Sequence, residues 1–205
     1  MRRVIAYVDG FNLYFGLKDR GWTRYYWLNI KELVTRLLKM NQELAATKYF
    51  TARVIGDPGK QKRQATFIEA LETLDGFRIF YGKYQLNPRR CPHCGFEDRV
   101  PNEKMTDVQI ATEMLSDAFA NRFDLALLIS ADSDLVPPVR AIRNMFPEKQ
   151  VVVAFSPARA SIDLAAAASA HFTIGRANLK QSLFPDQVKK EDGFVLNCPP
   201  SWKDE

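Results

Sequence analysis

The chain lacks a long apolar run. No stretch approaches the roughly 20 apolar residues that a membrane-spanning helix needs, so the sequence predicts no membrane association. Cysteine is scarce, and three in 205 residues are too few for a disulfide framework. Met1-Arg2-Arg3 leads into a strand-like run without the apolar core and small-residue cleavage site of a signal peptide. Together these absences predict a cytoplasmic protein. A glycine-rich phosphate loop is also missing, which weighs against a nucleotide-using transferase. Neither internal repeats nor low-complexity tracts occur.

Hydrophobic residues make up 46% of the chain, enough for a real core. The net charge of +5 mildly favours a polyanionic partner, although many soluble proteins are as basic. Apolar runs alternate with helix-period stretches. Strands are expected at 3–9, 47–55, 77–81, 125–129, 151–155 and 172–174. Helices are expected at 12–18, 30–40, 60–74, 103–121, 133–145 and 161–169. This alternation calls for an α/β fold, a mostly parallel sheet with helices on both faces. The expected organisation is one domain over 1–182, an irregular cysteine-containing insertion at 85–102, and a partly disordered polar tail at 183–205.

The chain is organised around Leu127-Leu128-Ile129-Ser130-Ala131-Asp132-Ser133-Asp134. A buried strand breaks off there into a small-residue turn carrying two carboxylates. The first strand ends alike, in Asp9-Gly10-Phe11-Asn12, and Asp107 opens the helix before the Leu125 strand. In open α/β sheets sites lie outside the carboxyl ends of the strands. Each aspartate alone could be a helix N-cap. Together, Asp9, Asp107, Asp132 and Asp134 suggest one cluster that stays ionised only if a cation compensates it. Oxygen ligands of this kind suit Mg²⁺ or Mn²⁺, which would support hydrolysis of a phosphodiester. Asn12 could orient a water or a phosphate. Ser130 could donate to a phosphate or brace Asp132.

Three blocks carry a resemblance: Tyr7-Val8-Asp9-Gly10-Phe11-Asn12-Leu13, Glu103-Lys104-Met105-Thr106-Asp107-Val108, and Ser130-Ala131-Asp132-Ser133-Asp134-Leu135-Val136-Pro137. In order and spacing they resemble the signature blocks of the NYN domain, part of the PIN-like nuclease group, and are most similar to its LabA-like branch. The resemblance covers roughly residues 3–175. It implies a PIN-like three-layer α/β/α sandwich and a metal-dependent ribonuclease, a hydrolase acting on single-stranded or structured RNA. It also implies metal-binding catalytic carboxylates at Asp9, Asp107 and Asp132, with Asp134 in support and Asn12 as polar partner. Lys104 would contact phosphate. The family often has a further aspartate in the helix after Asp107, where this chain shows Glu113 or nearby polar residues.

Lys60, Lys62 and Arg63 follow a glycine turn and could hold RNA phosphates, or form a solvated helix face. Arg53, at the end of the second strand, could face the site. Trp22, Arg24, Tyr25, Tyr26 and Trp27 could stack on unpaired bases or pack over the core edge. Cys91-Pro92-His93-Cys94-Gly95 has the form of half a zinc knuckle. The rest of the chain offers only Cys198 and His171 besides His93 between the pair, so a homodimer with four thiolates would complete the count. A redox pair or a plain turn are the alternatives.

Two other classes compete with the ribonuclease. A catalytically inactive RNA-binding or protein-interaction module would use the same fold without turnover. A phosphatase of the aspartyl-nucleophile type would want a second Asp two residues after Asp9, where Phe11 stands.

Overall fold

The computed structural model describes residues 1–203, except the side chains of residues 86, 87, 89 and 98–102. Strand β1 (Arg2–Asp9) is the spine, because Val4 to Val8 are apolar and buried on both faces. A strand covered on both sides must sit mid-sheet. It pairs in parallel with β2 (Gln42–Thr51) on one side and β6 (Leu125–Ile129) on the other. β3 (Phe77–Tyr81), β7 (Gln150–Phe155) and β8 (Ala170–Thr173) complete a six-stranded parallel sheet of order β3-β2-β1-β6-β7-β8.

Helices cover both faces. Packed on the face of Val4, Ala6 and Val8 are α1 (Gly10–Asp19), α2 (Ile30–Leu37) and α3 (Pro58–Glu72). On the face of Ile5 and Tyr7 lie α4 (Thr106–Phe119), α5 (Val136–Met145) and α6 (Ile162–Ala167). The result is a three-layer α/β/α sandwich. Chain order reverses between β1 and β6, so a crevice opens beyond their carboxyl ends. No helix among the described residues is long and apolar enough to cross a membrane.

Several expectations need correction. β2 starts at Gln42 and ends at Thr51, rather than spanning 47–55. Gln42 and Glu43 find partners opposite Arg2 and Arg3, and the β2–β3 ladder stops at the pair Thr51 and Tyr81. The helix expected from 103 begins only at Thr106, after Met105 adopts a left-handed φ of 81°. The helix expected from 133 begins as a short 3-10 turn. α5 proper starts at Val136, where Pro137 and Pro138 sit in the first turn and no intrahelical N–H is lost.

The insertion is not irregular. β4 (Lys83–Arg90) and β5 (Glu97–Lys104) form an antiparallel ribbon in unbroken register from Lys83↔Lys104 to Arg90↔Glu97. The tail is not loose either. After α7 (Arg176–Gln181), β9 (Gln187–Lys189) and β10 (Val195–Asn197) make a small hairpin. Phe184, Val188, Leu196 and Cys198 are buried in the α1–α3 core, and Trp202 meets Tyr26, Trp27 and Phe67 edge-on or tilted.

Candidate active site

Asp9 ends β1 and caps α1, so its carboxylate is fixed by the strand-to-helix junction. Its Oδ1 accepts from the Asn12 backbone N–H at 2.9 Å, and its Oδ2 accepts from the Ser130 hydroxyl at 2.9 Å. Gly10 is required next to it. A Cβ there would lie 2.5 Å from the Tyr49 ring and 2.8 Å from the Phe50 carbonyl oxygen. Ser130, at the end of β6, also accepts from the Asp132 backbone N–H at 3.1 Å. One buried hydroxyl thus ties the two strand ends together. Asp132 caps the next turn by accepting from the Asp134 backbone N–H at 2.9 Å.

Asp107 reaches the same crevice from the first turn of α4. Gly82 lets the ribbon and helix meet, since a Cβ there would lie 2.6 Å from the Thr106 hydroxyl. Glu103, the penultimate residue of β5, accepts a hydrogen bond from that hydroxyl.

The carboxylates act on one another. Asp107 is pushed up to about 6 by partial burial and by the negative charges of Asp132, Asp9 and Asp134. Glu103 is pushed up to about 7 by burial and by Asp9, Asp107 and Asp132, against the Thr106 hydrogen bond. Asp9, 5% exposed, is raised by burial and opposed by its hydrogen bonds from Asn12 and Ser130. Among the described residues, no three Asp, Glu, His or Cys side chains form a ready-made metal site.

The structure sorts the sequence candidates. Asp9, Asp107, Asp132 and Asp134 come together as one electrostatic unit, with Asp134 on its exposed rim. Asn12 is buried, and its amide oxygen lies 3.3 Å from the Ser156 hydroxyl, which donates to it, so it ties α1 to the end of β7. Ser130 is fully buried, with its hydroxyl engaged by the Asp9 carboxylate and the Asp132 N–H. Lys104 is exposed on the opposite face of β5 from Glu103, as strand alternation requires. Lys60 and Lys62 are exposed on the first turns of α3, at the carboxyl edge of the sheet. Arg63 folds back toward Asp57, whose carboxyl is held below the usual range by the N–H groups of Lys60 and Gly59 and by Lys60 and Arg63. Arg53 lies over the Tyr81 ring at 5.0 Å. The aromatic loop packs inward, with Tyr25 and Trp27 buried.

Two features escaped the sequence reading. Glu103 belongs to the acidic unit, although only its neighbour Lys104 was singled out. Glu113 faces away from the crevice and pairs at 2.5 Å with Lys48, a lysine 3% exposed in the middle of β2. Lys48 also contacts the fully buried Asp117 at 2.6 Å, and the Tyr7 hydroxyl donates to Asp117 at 2.5 Å. A lysine inside the apolar run Lys48-Tyr49-Phe50 was the available signal. A hollow at the opposite edge, lined by Arg3, Asn121, Asp124 and Lys149, is closed by its own pairs, including Arg3–Asp124 at 2.7 Å.

Comparison with known proteins agrees with this architecture. A solved structure from Vibrio parahaemolyticus, a protein of unknown function, is 20% identical. It covers 85% of this chain and 94% of that chain with a TM-score of 0.56, a likeness of fold. A curated relative, 6-hydroxy-3-succinoylpyridine 3-monooxygenase of Pseudomonas putida, is 27% identical over 175 residues, covering 69% of this chain and 55% of its own length. The chain therefore spans about half of that relative. The NYN domain model matches residues 3–178, the whole sheet with its acidic strand ends. The chain belongs to the NYN domain family.

Proposed function

We propose that the protein is a metal-dependent ribonuclease that hydrolyses RNA phosphodiester bonds in the crevice beyond β1 and β6. The observation that carries this reading is the mutual charge pressure among Asp9, Glu103, Asp107 and Asp132. The charges of Asp132, Asp9 and Asp134 all push Asp107 in the same direction. Partly buried carboxylate oxygens of this kind fit a hard divalent cation such as Mg²⁺ or Mn²⁺. Asp9, Asp107 and Asp132 would hold it, with Asp134 in support. When bound, such an ion offsets phosphodiester charge and activates a water.

The chain's own residues do the rest. Ser130 and the Asn12 backbone fix the Asp9 carboxylate, so no reorganisation is needed when charge develops. In the metal-free site, burial and the charges of Asp9, Asp107 and Asp132 push Glu103 up to about 7, so it can hold a proton at its carboxylate there. Phe11, just after Gly10, lies 6.0 Å from the Tyr84 ring and 6.2 Å from the Phe15 ring, beside Glu103. Such faces suit unpaired bases. Lys60 and Lys62, exposed at the carboxyl edge of the sheet, offer positive charge for the RNA backbone. Membership of the NYN family, which includes nucleases, supports this reading.

Incubation of labelled single-stranded RNA with the protein and Mn²⁺ tests it. Cleavage that stops with EDTA and in Asp9→Asn is expected, and wild-type cleavage that survives EDTA contradicts it. RNA binding without turnover under any metal would instead support the non-catalytic module. A second reading, carried by the 27% identity, is the oxidation named for the Pseudomonas relative. Consumption of 6-hydroxy-3-succinoylpyridine under air with an added two-electron reductant would support it.

A further inference from the structure

The acidic crevice leaves the tip of the β4–β5 ribbon without a role. The tip is a tight turn: the Cys91 N–H donates to the Phe96 carbonyl at 2.8 Å, and the Gly95 N–H donates to the Cys91 carbonyl at 3.0 Å. Gly95 adopts φ 72°, which an L side chain rarely takes. The turn folds the chain back on Cys91, so that the His93 and Cys94 N–H groups and the Cys94 side chain hydrogen-bond to the Cys91 sulfur. Both thiols are free, with Cys94 exposed and Cys91 half-buried. The Arg90 guanidinium lies 3.8 Å from the place a Cβ on Gly95 would take, so a cation lies over the same turn.

Two thiols on one tight turn could make up half of a tetrahedral thiolate site, and among the described residues no group of three His, Cys, Asp or Glu side chains is placed to hold a metal ion. The chain's other cysteine, Cys198, is buried in the α1–α3 core, and His171 lies on β8, its ring tilted against Phe155. A structural zinc site takes four ligands. Phe96, next to the turn, is 66% exposed, an aromatic that the rest of the chain leaves uncovered. The ribbon pairs only with itself. A second copy of the same tip would supply the two missing thiolates and cover Phe96, and a two-fold arrangement closes after two chains.

We propose that two copies of this chain share one zinc ion at their ribbon tips, each contributing Cys91 and Cys94. The two Arg90 side chains would offset the excess charge of four thiolates on a divalent ion.

The test is zinc content together with mass in solution, on full-length protein prepared under reducing conditions with Zn²⁺. Half a zinc per chain in a particle of twice the chain mass is expected. Cys91→Ser should lose the zinc and become monomeric, and Cys198→Ser should keep both. Removing zinc from the wild type with a chelator should give monomers with unchanged circular dichroism, and adding Zn²⁺ back should restore the dimer. That reversal separates loss of the site from misfolding of the mutant. One zinc per chain in a monomer, a dimer that survives zinc removal, or protein that takes up no zinc would each overturn the proposal. None of these readouts depends on the ribonuclease reading.

Discussion

Glu103 and Asp107 are raised by burial and by their carboxylate neighbours, and this has a definite sign for stability. Their folded values, about 7 and about 6, lie above those of an unfolded chain. Between about pH 4 and pH 7 the native state therefore holds more protons, and stability falls as pH rises through that window. In metal-free protein, Glu103→Gln and Asp107→Asn should each raise the melting temperature at pH 7.5 by about 2–4 °C, which corresponds to about 1 kcal/mol after allowance for solvent screening. At pH 4 the gain should vanish. Thermal melts at the two pH values check this, and an equal gain at both would contradict it.

Asp9 and Asp132 were legible in the sequence because an apolar run stops abruptly at each. Ser130 was legible as a possible brace of Asp132 but not of Asp9, and Asn12 as a partner of water or phosphate but not as the tie to Ser156. Their partners, Asp9 from 121 residues away and Ser156 from 144, are set by strand order rather than local pattern.

At the scale of elements, α4 is held against the sheet by a buried ionic unit. Lys48 on β2 contacts Glu113 and Asp117 on α4, and the Tyr7 hydroxyl on β1 joins Asp117. Removing the lysine leaves the fully buried Asp117 with the largely exposed Arg122, at 3.0 Å, and the Tyr7 hydroxyl as partners, and leaves Glu113 without its cation. Lys48→Met should cost about 3–5 kcal/mol, read by urea denaturation. Lys48→Met with Asp117→Leu should recover part of that loss, because paired buried charges gain little over apolar packing. A single mutant as stable as wild type would show the network to be inert. Helix–strand alternation made α1 to α6 readable, with apolar stripes at Leu33 and Leu37, at Phe67 and Leu71, and at Met114 and Ala118 marking α2, α3 and α4. The β4–β5 ribbon was not readable, since three prolines and few apolar residues give no strand period, and its order comes from cross-strand pairing.

Over the whole molecule, the sheet places its reversal point between β1 and β6, and the family blocks fall at its edge. The C-terminal piece closes the opposite flank of one helical layer. Phe184, Val188 and Leu196 look isolated in a polar stretch, so the sequence alone read them as tail, yet each is buried. At about 1.5–3 kcal/mol per buried large apolar side chain, their removal approaches the net stability of a domain. Truncation after Ser182 should therefore yield protein that aggregates or melts at least about 10 °C lower, as seen by light scattering and thermal denaturation. A truncated chain with wild-type melting would contradict this packing.

If the acidic unit beyond β1 and β6 is a hydrolytic centre, the protein cleaves labelled single-stranded RNA with Mg²⁺ or Mn²⁺, and Asp132→Asn of confirmed fold loses about 10²-fold or more of that cutting. Equal cutting by both proteins would contradict it.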